Sequence, residues 1–490
     1  NYFQNGGETL LVSRVVNGAY TAATTTLDGE ENAVSVTFKT IGEGLLMNSS
    51  SSLNVDGSMD SGSTDNVRWE VLNSNSGSGT FDLLVRRGND TTNDKSVLET
   101  WTNLSLDPFS SNYVARRIGD QTSTYTADGT SYYLQTSGAY PNASRYIRVS
   151  AVNATTPNYL DNSGVAKSAY TASIPVAQSG GFISATGTVK DAAKFYDEIT
   201  STDTQGLVGT DYTNMINLLS NSDDYKFNVL ITPGLYDADY TTQLTSIISN
   251  TQNRGDNLFI LDPVKHGATV TAVTSQAASR NTSYAASYWP WVQVIDPDTG
   301  RQVWVPASTL MAGVFAYNDS VSEPWFAPAG INRGGLGQVV RPERKLAQAT
   351  RDTLYTNKVN PIASFPGTGV VVYGQKTLQT KSTALDRVNV RRLLIAMKSY
   401  IAGVAQNLVF EQNSAATRNN FLAQVNPYLE GIQQKQGLYA FKVVMDETNN
   451  TADVIDRNEL IGQIYVQPTK TAEYIYLDFN VTPTGVAFPA

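Results

Sequence analysis

Few residues in this sequence have the side chains that usually carry out catalysis or bind metals. The 490 residues include no cysteine and one histidine, His266. Without cysteine, the chain has no disulfides, thiolate nucleophiles or thiolate metal ligands. His266 lies in the turn-forming run 262–267, and neither a Ser-His-Asp triad nor an H-E-x-x-H pair can be assigned. We expect a solvated loop histidine, and we assign no catalytic, cofactor-binding or metal-binding residue.

A near match to the phosphate-binding loop G-x-x-x-x-G-K-[ST] is a second candidate for chemistry. In residues 369–377, Gln375 occupies the lysine position and Lys376 comes one position late. The residues between the glycines form an apolar strand-like run, whereas a phosphate cradle needs a turn that presents N–H groups. Asp262 follows a strand, but without such a cradle we expect it to be a capping residue. The glycines of 334–337 lack the strand-to-helix setting of a dinucleotide loop.

The composition excludes further classes of function. The chain has 35 Lys and Arg against 44 Asp and Glu, a net charge of −9. Nucleic-acid binding relies on clustered basic residues, so we expect no nucleic-acid partner. Longer apolar runs such as 388–404 contain Arg391, Arg392 and Lys398, so we expect no membrane insertion.

The length and the changing pattern along the chain indicate several domains. From 54 to 201, short alternating apolar runs are separated by Gly, Asn, Asp and Ser, which predicts a β-rich domain. Strands are expected at 67–72, 79–87 and 146–149. A helix is expected at 191–199, near the end of this domain.

From 202 to 385, strand and helix patterns alternate. Strand-like runs at 227–231 and 257–261 are each followed by apolar residues at helical spacing. Further strands are expected at 288–294 and 369–373. This alternation predicts a mostly parallel sheet with right-handed crossovers.

The last region, 386–490, combines two helices with terminal strands. Apolar stripes predict helices over 386–406 and 414–435, the second ended by Gly437. Three strands are expected to follow, at 438–445, 460–466 and 472–481. The last strand has an apolar and a polar face, formed by Ile475, Leu477 and Phe479 and by Tyr474, Tyr476 and Asp478.

The sequence opens abruptly. Its first residue is Asn1, and a strand-like run at 9–16 follows almost at once. We therefore expect that a true N-terminal segment precedes these residues.

Segments spread along the chain resemble those of contractile tail sheath proteins of bacteriophages, and they follow in the family's order. In the second half they lie at 288–294, 305–308, 312–319, 325–330, 372–378, 387–394 and 408–413. Each segment alone is weakly specific, but the ordered set is specific. Segments at 65–71, 86–90 and 104–108 resemble the family's larger members. Residues 3–7 resemble an internal segment of the family.

The resemblance implies a multidomain fold of the α/β and α+β classes. An α/β sheath core would carry a C-terminal α+β domain and a protruding β-rich insertion domain. Residues 1–53 would begin the sheath core, 54–201 would form the insertion, 202–385 the core and 386–490 the inner C-terminal domain. The chain would then begin within a domain and lack the family's N-terminal arm.

The resemblance also implies a mechanical function and no enzyme activity. Such subunits polymerise as a helical stack of rings around an inner tail tube, and contraction drives the tube through the host envelope. The expected partners are other copies of the chain, the tube protein, and the baseplate and tail terminator proteins. The protein would belong to the virion tail and would be assembled in the host cytoplasm.

Two sets of residues are expected to contact these partners. In this family, terminal arms add strands to a neighbour's C-terminal sheet, which exploits unpaired sheet edges. The candidate inter-subunit strand residues are Tyr474, Ile475, Tyr476, Leu477 and Phe479. In the helix at 414–435, Arg418 and Lys435 are the candidates for contact with the tube.

Two alternatives stay open. A bacterial contractile injection system has a homologous sheath, and the expected β-rich insertion favours the phage. A virion-associated hydrolase on an α/β core is the less favoured alternative.

Overall fold

A computed structural model describes residues 2–15, 20–30, 33–50, 52–187, 209–297 and 300–473. The chain divides into two compact units. The β-rich unit comprises Val12–Tyr225, and the α/β unit comprises Asn1–Leu11 together with Lys226–Ala490.

The β-rich unit is built from short strands joined by tight connections. In chain order its described elements are β1 (Ala22–Asp28), β2 (Val34–Glu43), β3 (Val67–Asn75), β4 (Thr80–Arg87), β5 (Val97–Ser105), α1 (Val114–Ile118), β6 (Thr122–Asp128), β7 (Ser131–Ser137), β8 (Ile147–Val152), α2 (Ser168–Thr171), β9 (Gln178–Gly181) and α3 (Thr213–Leu218). The strands form antiparallel sheets in the orders β1-β2-β8, β5-β4-β3-β9 and β6-β7.

One hydrophobic core joins the two larger sheets. Phe81, Leu83 and Val85 alternate along β4 and are completely buried. This period of two places them on one face of the strand. Leu27 of β1 and Phe38 of β2 belong to the same core. The strand expected at 79–87 is present as β4, and Phe81, Leu83 and Val85 form its inward face.

A buried charge network fixes the loop after β4. The Asp90 carboxylate accepts hydrogen bonds from Arg86 Nε at 2.8 Å and Arg86 Nη2 at 2.9 Å. Arg68 Nη1 also donates to this carboxylate, at 3.3 Å. Both guanidinium groups are about 1% exposed, so Asp90 compensates charge that water cannot reach.

The β-rich unit starts earlier than the division expected from the sequence. That division assigned 1–53 to the sheath core, whereas β1 and β2 contribute to the core of the β-rich unit. β2 pairs with β8 through contacts such as Phe38 with Val149. These partners are more than a hundred residues apart, so no local pattern reveals the pairing. The helix expected at 191–199 lies outside the described residues.

The α/β unit contains the elements of the central and C-terminal regions. After a 3-10 turn at Phe3–Asn5, its described elements are β10 (Val229–Tyr236), α4 (Thr241–Arg254), β11 (Leu258–Asp262), α5 (Val270–Ala278), β12 (Ala285–Trp289), β13 (Val292–Ile295), β14 (Gln302–Val305), α6 (Ser308–Val321), β15 (Val339–Pro342), α7 (Gln348–Thr356), β16 (Val359–Phe365), β17 (Gly369–Val372), α8 (Val388–Gln406), α9 (Ala415–Gln434), β18 (Leu438–Val444), α10 (Ala452–Asp456) and β19 (Gln463–Pro468).

The central sheet has the strand order β10-β11-β12-β16-β17. The first four strands are parallel and β17 is antiparallel to β16, which confirms the predicted mostly parallel sheet. Helices α4 and α5 connect the first three strands. Every residue of β11 and β12 is buried, as expected for central strands covered on both faces.

The single strand expected at 288–294 is divided in two. β12 ends at Trp289, and β13 begins at Val292 and pairs with β14 and β15 in a separate antiparallel sheet. Pro290 separates the two strands and has no N–H to donate to a ladder. The chain can therefore change sheets at this position.

The strand expected at 9–16 is absent from its described part, 9–15. Leu10, Leu11 and Val12 are 51%, 47% and 75% exposed. An apolar run with high strand propensity is thus left without a hydrogen-bonded neighbour strand among the described residues.

Candidate assembly surface in the C-terminal domain

Helix α9 is held by a cap at its start and a buried stripe along one side. Ser414 Oγ accepts a hydrogen bond from the Thr417 N–H at 3.3 Å, which satisfies a donor of the first turn. Phe421, Val425 and Leu429 recur every four residues and are at most 3% exposed. This stripe shares a core with three buried residues of α8, namely Leu393, Met397 and Val404.

A glycine at a helix end usually supplies a left-handed backbone conformation, but Gly437 has another role at the end of α9. The residue with left-handed backbone is Gln436, at a φ of +64°. The Gly437 N–H donates to the Ile432 carbonyl at 2.8 Å. A Cβ on Gly437 would lie 2.4 Å from Ile432 Cγ2, so close packing excludes a side chain there.

Beyond α9, β18 and β19 form an antiparallel pair with one covered face. Phe441 lies opposite Val466, and Val443 lies opposite Ile464. All four side chains pack on the core of the C-terminal domain. Helix α9 packs against β18 from the same side.

The opposite face and the edges of this pair are open among the described residues. Tyr465 lies opposite Lys442 and is 58% exposed, and Tyr439 is 64% exposed. No third described strand joins the pair. An isolated two-stranded sheet is marginally stable in water, and its edges present unpaired N–H and C=O groups. The pair can therefore accept added strands.

The residues predicted to form the inter-subunit strand lie outside the described residues: Tyr474, Ile475, Tyr476, Leu477 and Phe479. The described chain leads to Glu473, whose carboxylate accepts hydrogen bonds from Arg387 Nε at 2.6 Å and Nη2 at 2.9 Å. Gln375 Nε2 also donates to Thr471 Oγ1 at 2.6 Å. These contacts hold the start of the predicted strand next to the beginning of α8.

The two charged residues predicted to contact the tube differ in their exposure to solvent. Arg418 is 7% exposed, and its Nη1 donates to Asn413 Oδ1 at 2.9 Å. Lys435 has a side chain 63% exposed and pairs with Glu323 at 2.5 Å. The burial of Arg418 was not predicted from the sequence, because a long basic side chain near the start of a helix is usually solvated. The exposed polar residues of α9 are mainly amides, at Asn419, Asn420, Gln424, Gln433 and Gln434, with one carboxylate, Glu430.

The residues considered for catalysis are engaged in structural contacts. Lys376 Nζ donates to the Tyr355 carbonyl at 2.9 Å and lies 4.3 Å from the centre of the Tyr355 ring. Burial lowers the pKa of Lys376. Residues 369–372 form β17, so the near match to a phosphate loop is a strand, as predicted. His266 is exposed, and its ring centre lies 4.9 Å from that of Trp304.

Asp262 is the most perturbed acid of the central sheet. It is 4% exposed at the carboxyl end of β11, and burial raises its pKa to about 7. Its carboxylate accepts hydrogen bonds from Ser308 Oγ at 2.5 Å and from the Ser308 N–H at 3.2 Å. Asp262 therefore caps the start of α6, in agreement with the capping residue predicted from the sequence.

The described residues offer neither a metal-binding cluster nor a membrane-spanning helix. No group of three or more His, Asp or Glu side chains is arranged to hold a metal ion in the described part of the chain. None of the helices described is long and apolar enough to span a membrane.

Comparison with known protein families identifies the domains to which the central and C-terminal regions belong. Residues 205–378 match the phage tail sheath protein central domain, and residues 380–482 match the phage tail sheath C-terminal domain. The α/β sheet followed by a helix pair and terminal strands thus defines a structural protein of the sheath class. The two domains follow each other in one chain and cover more than half of it. The chain belongs to the phage tail sheath protein family.

Individual relatives agree with this assignment. The chain is 43% identical over 208 residues to the tail sheath protein of Vibrio phage KVP40, over 42% of this chain and 31% of the relative. It is 31% identical over 323 residues to the tail sheath protein of Salmonella phage ViI, over 61% of this chain and 51% of the relative. The chain therefore spans about a third to a half of the length of these relatives.

A solved structure supports the fold. The crystal structure of a sheath tail protein from Listeria innocua matches with a TM-score of 0.51 at 9% identity, over 91% of this chain and 81% of that chain. At this identity the similarity concerns the fold alone. It supports the multidomain sheath fold, with mixed α/β and α+β parts, that the sequence predicts.

Proposed function

We propose that the chain is a subunit of a contractile phage tail sheath. Copies polymerise as a helical stack of rings around the inner tail tube, and contraction drives the tube through the host envelope during genome delivery. The observation that carries this proposal is the match to both sheath domains, in order, within one chain. The subunit functions in the virion tail, is assembled in the host cytoplasm, and meets the baseplate and terminator proteins at the ends of the sheath. Its function is mechanical and not enzymatic.

The exposed edges of β18 and β19 support a specific link between subunits. A strand from a neighbouring subunit that adds to this pair satisfies peptide groups that otherwise face water. A strand that makes about five backbone hydrogen bonds at about 1 kcal/mol net each stabilises one link by several kcal/mol. Such links keep subunits connected while rings rotate and slide.

The segment proposed to supply this strand is 472–481. Arg387 and Gln375 fix the described residues at its start, through Glu473 and Thr471. A strand that begins at a fixed point loses less conformational entropy when it pairs than a free tail does. The Arg387–Glu473 contact therefore favours strand donation from this position.

Contact with the tube is proposed for the exposed face of α9 and for Lys435. Because Arg418 is buried and the exposed face is mainly amides, most of this contact is neutral hydrogen bonding. Charge reversal at Lys435 should therefore weaken tube attachment only moderately and in a salt-dependent way. Charge reversal at Arg418 should instead destabilise the helix pair itself.

The β-rich unit is proposed to be dispensable for polymerisation, because it closes its own core. The limits predicted for this domain from the sequence are 54–201, whereas the compact unit comprises Val12–Tyr225. A short Gly/Ser linker in place of 20–187 tests the proposal. A remainder that neither folds nor polymerises would show that the unit belongs to the central assembly.

Substitution of Leu477 by Pro tests the proposed link directly. Proline removes a backbone donor from the strand, so the subunit should fold while polymerisation fails. Leu477→Ile keeps the donor and the apolar side chain and is the matched control. Long sheaths from Leu477→Pro that contract normally would exclude this strand as the link.

A further inference from the structure

The net charge of the chain is divided unequally between its two units. The β-rich unit contains 13 Lys and Arg against 23 Asp and Glu, whereas the α/β unit contains 22 against 21. The β-rich units of two copies therefore repel each other, and the α/β units carry almost no net charge that would keep them apart. Contact between copies is thus electrostatically favoured through the α/β unit.

An aromatic cluster with a basic side chain lies on the sheet of β13, β14 and β15. Trp304 of β14 and Arg341 of β15 both lie opposite Gln293 of β13, so the three side chains share one face. Arg341 Nε donates to Gln293 Oε1 at 2.8 Å, and the Arg341 guanidinium lies 5.3 Å from the centre of the Trp304 ring. The exposed His266 contacts the same ring, with the two ring centres 4.9 Å apart.

Further basic residues surround this cluster and make it a positively charged surface. We call it the basic patch, and it consists of Trp304 and His266 with Lys265, Arg341, Arg344 and Lys345. Glu343 is the one acid among residues 339–346. Its side chain is 8% exposed, and its Oε1 accepts the Gly267 N–H at 2.9 Å. The side chain of Arg344 is 41% exposed, so the patch presents mainly positive charge to solvent.

The opposite charge is gathered in the C-terminal domain, in the loop and short helix between β18 and β19. This acidic loop, residues 446–459, has one basic residue, Arg457, and five exposed acids: Asp446, Glu447, Asp453, Asp456 and Glu459. The buried Asn450 holds the loop in place, because its Nδ2 donates to the Ile461 carbonyl at 2.9 Å and its Oδ1 accepts the Ile461 N–H at 2.8 Å. The negative charge therefore has a fixed position.

Apolar side chains project beside the acidic loop. Asn413 Nδ2 donates to the Glu459 carbonyl at 2.8 Å, which holds the connection between α8 and α9 next to this loop. In that connection Val409 is 60% exposed and Phe410 is completely exposed. Aromatic side chains that are covered on binding contribute strongly to protein interfaces. The acidic loop and the basic patch thus each combine charge with an aromatic side chain.

We propose that the acidic loop of one copy, together with Phe410, docks on the basic patch of the next copy. The opposite charges of two exposed surfaces in the same chain are the reason to choose a second copy as the partner. Because the two surfaces differ, the contact is heterologous and repeats from copy to copy in an open array. The inference rests on the proposed sheath function and adds a contact that strand exchange does not use.

Charge reversal in the full chain tests this contact. One variant combines Glu447→Lys with Asp456→Lys, and the other combines Arg341→Glu with Lys345→Glu. Each alone brings like charges together, so the critical concentration for polymerisation should rise about 10-fold or more at low salt. Mixed one to one, the two variants should polymerise again, because each reversed surface then meets its complement on the other variant. Circular dichroism checks the fold, and sedimentation velocity measures the polymer.

Asp239→Lys with Asp352→Lys is the matched control, since it changes the charge equally at exposed acids outside both surfaces. It should leave the critical concentration within about threefold of the wild type, because exposed charges away from a contact are screened. Reversal variants that polymerise like the wild type would overturn the inference. Folded variants that fail alone and also fail when mixed would overturn it as well. A wild type that never polymerises would instead contradict the proposed sheath function, and this contact with it.

Discussion

Replacement of Asp262 by Asn should make the free energy of unfolding of the central sheet less dependent on pH. The carboxyl has a pKa near 3.9 in an unfolded chain and about 7 in the folded one, because burial penalises its charged form. Between these values the folded protein holds a proton that the unfolded chain has released. The free energy of unfolding therefore falls as pH rises from about 4 to about 7 and changes little beyond.

The size of the effect follows from the shift of about three pKa units. At about 1.4 kcal/mol per unit, the full shift corresponds to about 4 kcal/mol, of which about 3 kcal/mol is lost between pH 4 and pH 7. An asparagine side chain does not titrate. Its oxygen can accept the Ser308 N–H and its amide can donate to Ser308 Oγ, so the cap on α6 is kept.

Local hydrogen exchange at β11, measured from pH 5 to pH 8, checks this prediction. After correction for intrinsic exchange rates, the opening free energy of the wild type should fall with pH, and that of Asp262→Asn should stay nearly constant. Asp239→Asn removes an exposed carboxylate nearby and should leave the fall unchanged. Equal pH dependence in the wild type and in Asp262→Asn would show that the Asp262 carboxyl does not cause the fall.

Three further predictions concern the contacts that hold each region. Arg387→Ala removes the two hydrogen bonds to Glu473, so limited proteolysis after 471 should accelerate while the melting temperature changes little. Leu429→Ala should cost about 2–5 kcal/mol in a urea titration, because it opens a cavity under β18, whereas the exposed control Gln434→Ala should stay within about 0.5 kcal/mol. Asp90→Asn removes the carboxylate partner of the buried Arg68 guanidinium and leaves Arg86 paired with Glu70, so it should destabilise the β-rich unit by about 3 kcal/mol or more in the same titration.

The sequence predicts the central and C-terminal elements well where hydrophobic periodicity is strong. The apolar residues of α8 and α9 recur at helical spacing, and the continuous apolar runs at β10 and β11 have the length of a buried strand. Helix α6 was not predicted, although Leu310, Met311, Val314 and Phe315 have helical spacing. Turn-forming residues on both sides and the adjacent strand patterns made this helical spacing hard to recognise.

The candidate surface could be predicted only in part. The strands β18 and β19 follow from alternation, but the burial of Arg418 depends on its contact with Asn413, which the helix period does not report. The anchor formed by Arg387 and Glu473 joins residues 86 positions apart. No local pattern contains that contact. The placement of β1 and β2 in the β-rich unit escaped prediction for the same reason.

Negative-stain electron microscopy of the native protein shows whether this chain forms a sheath. A sheath subunit should form hollow striated cylinders built from stacked rings. Isolated globular particles at all concentrations, with no cylinders even when the tube protein is present, would contradict it.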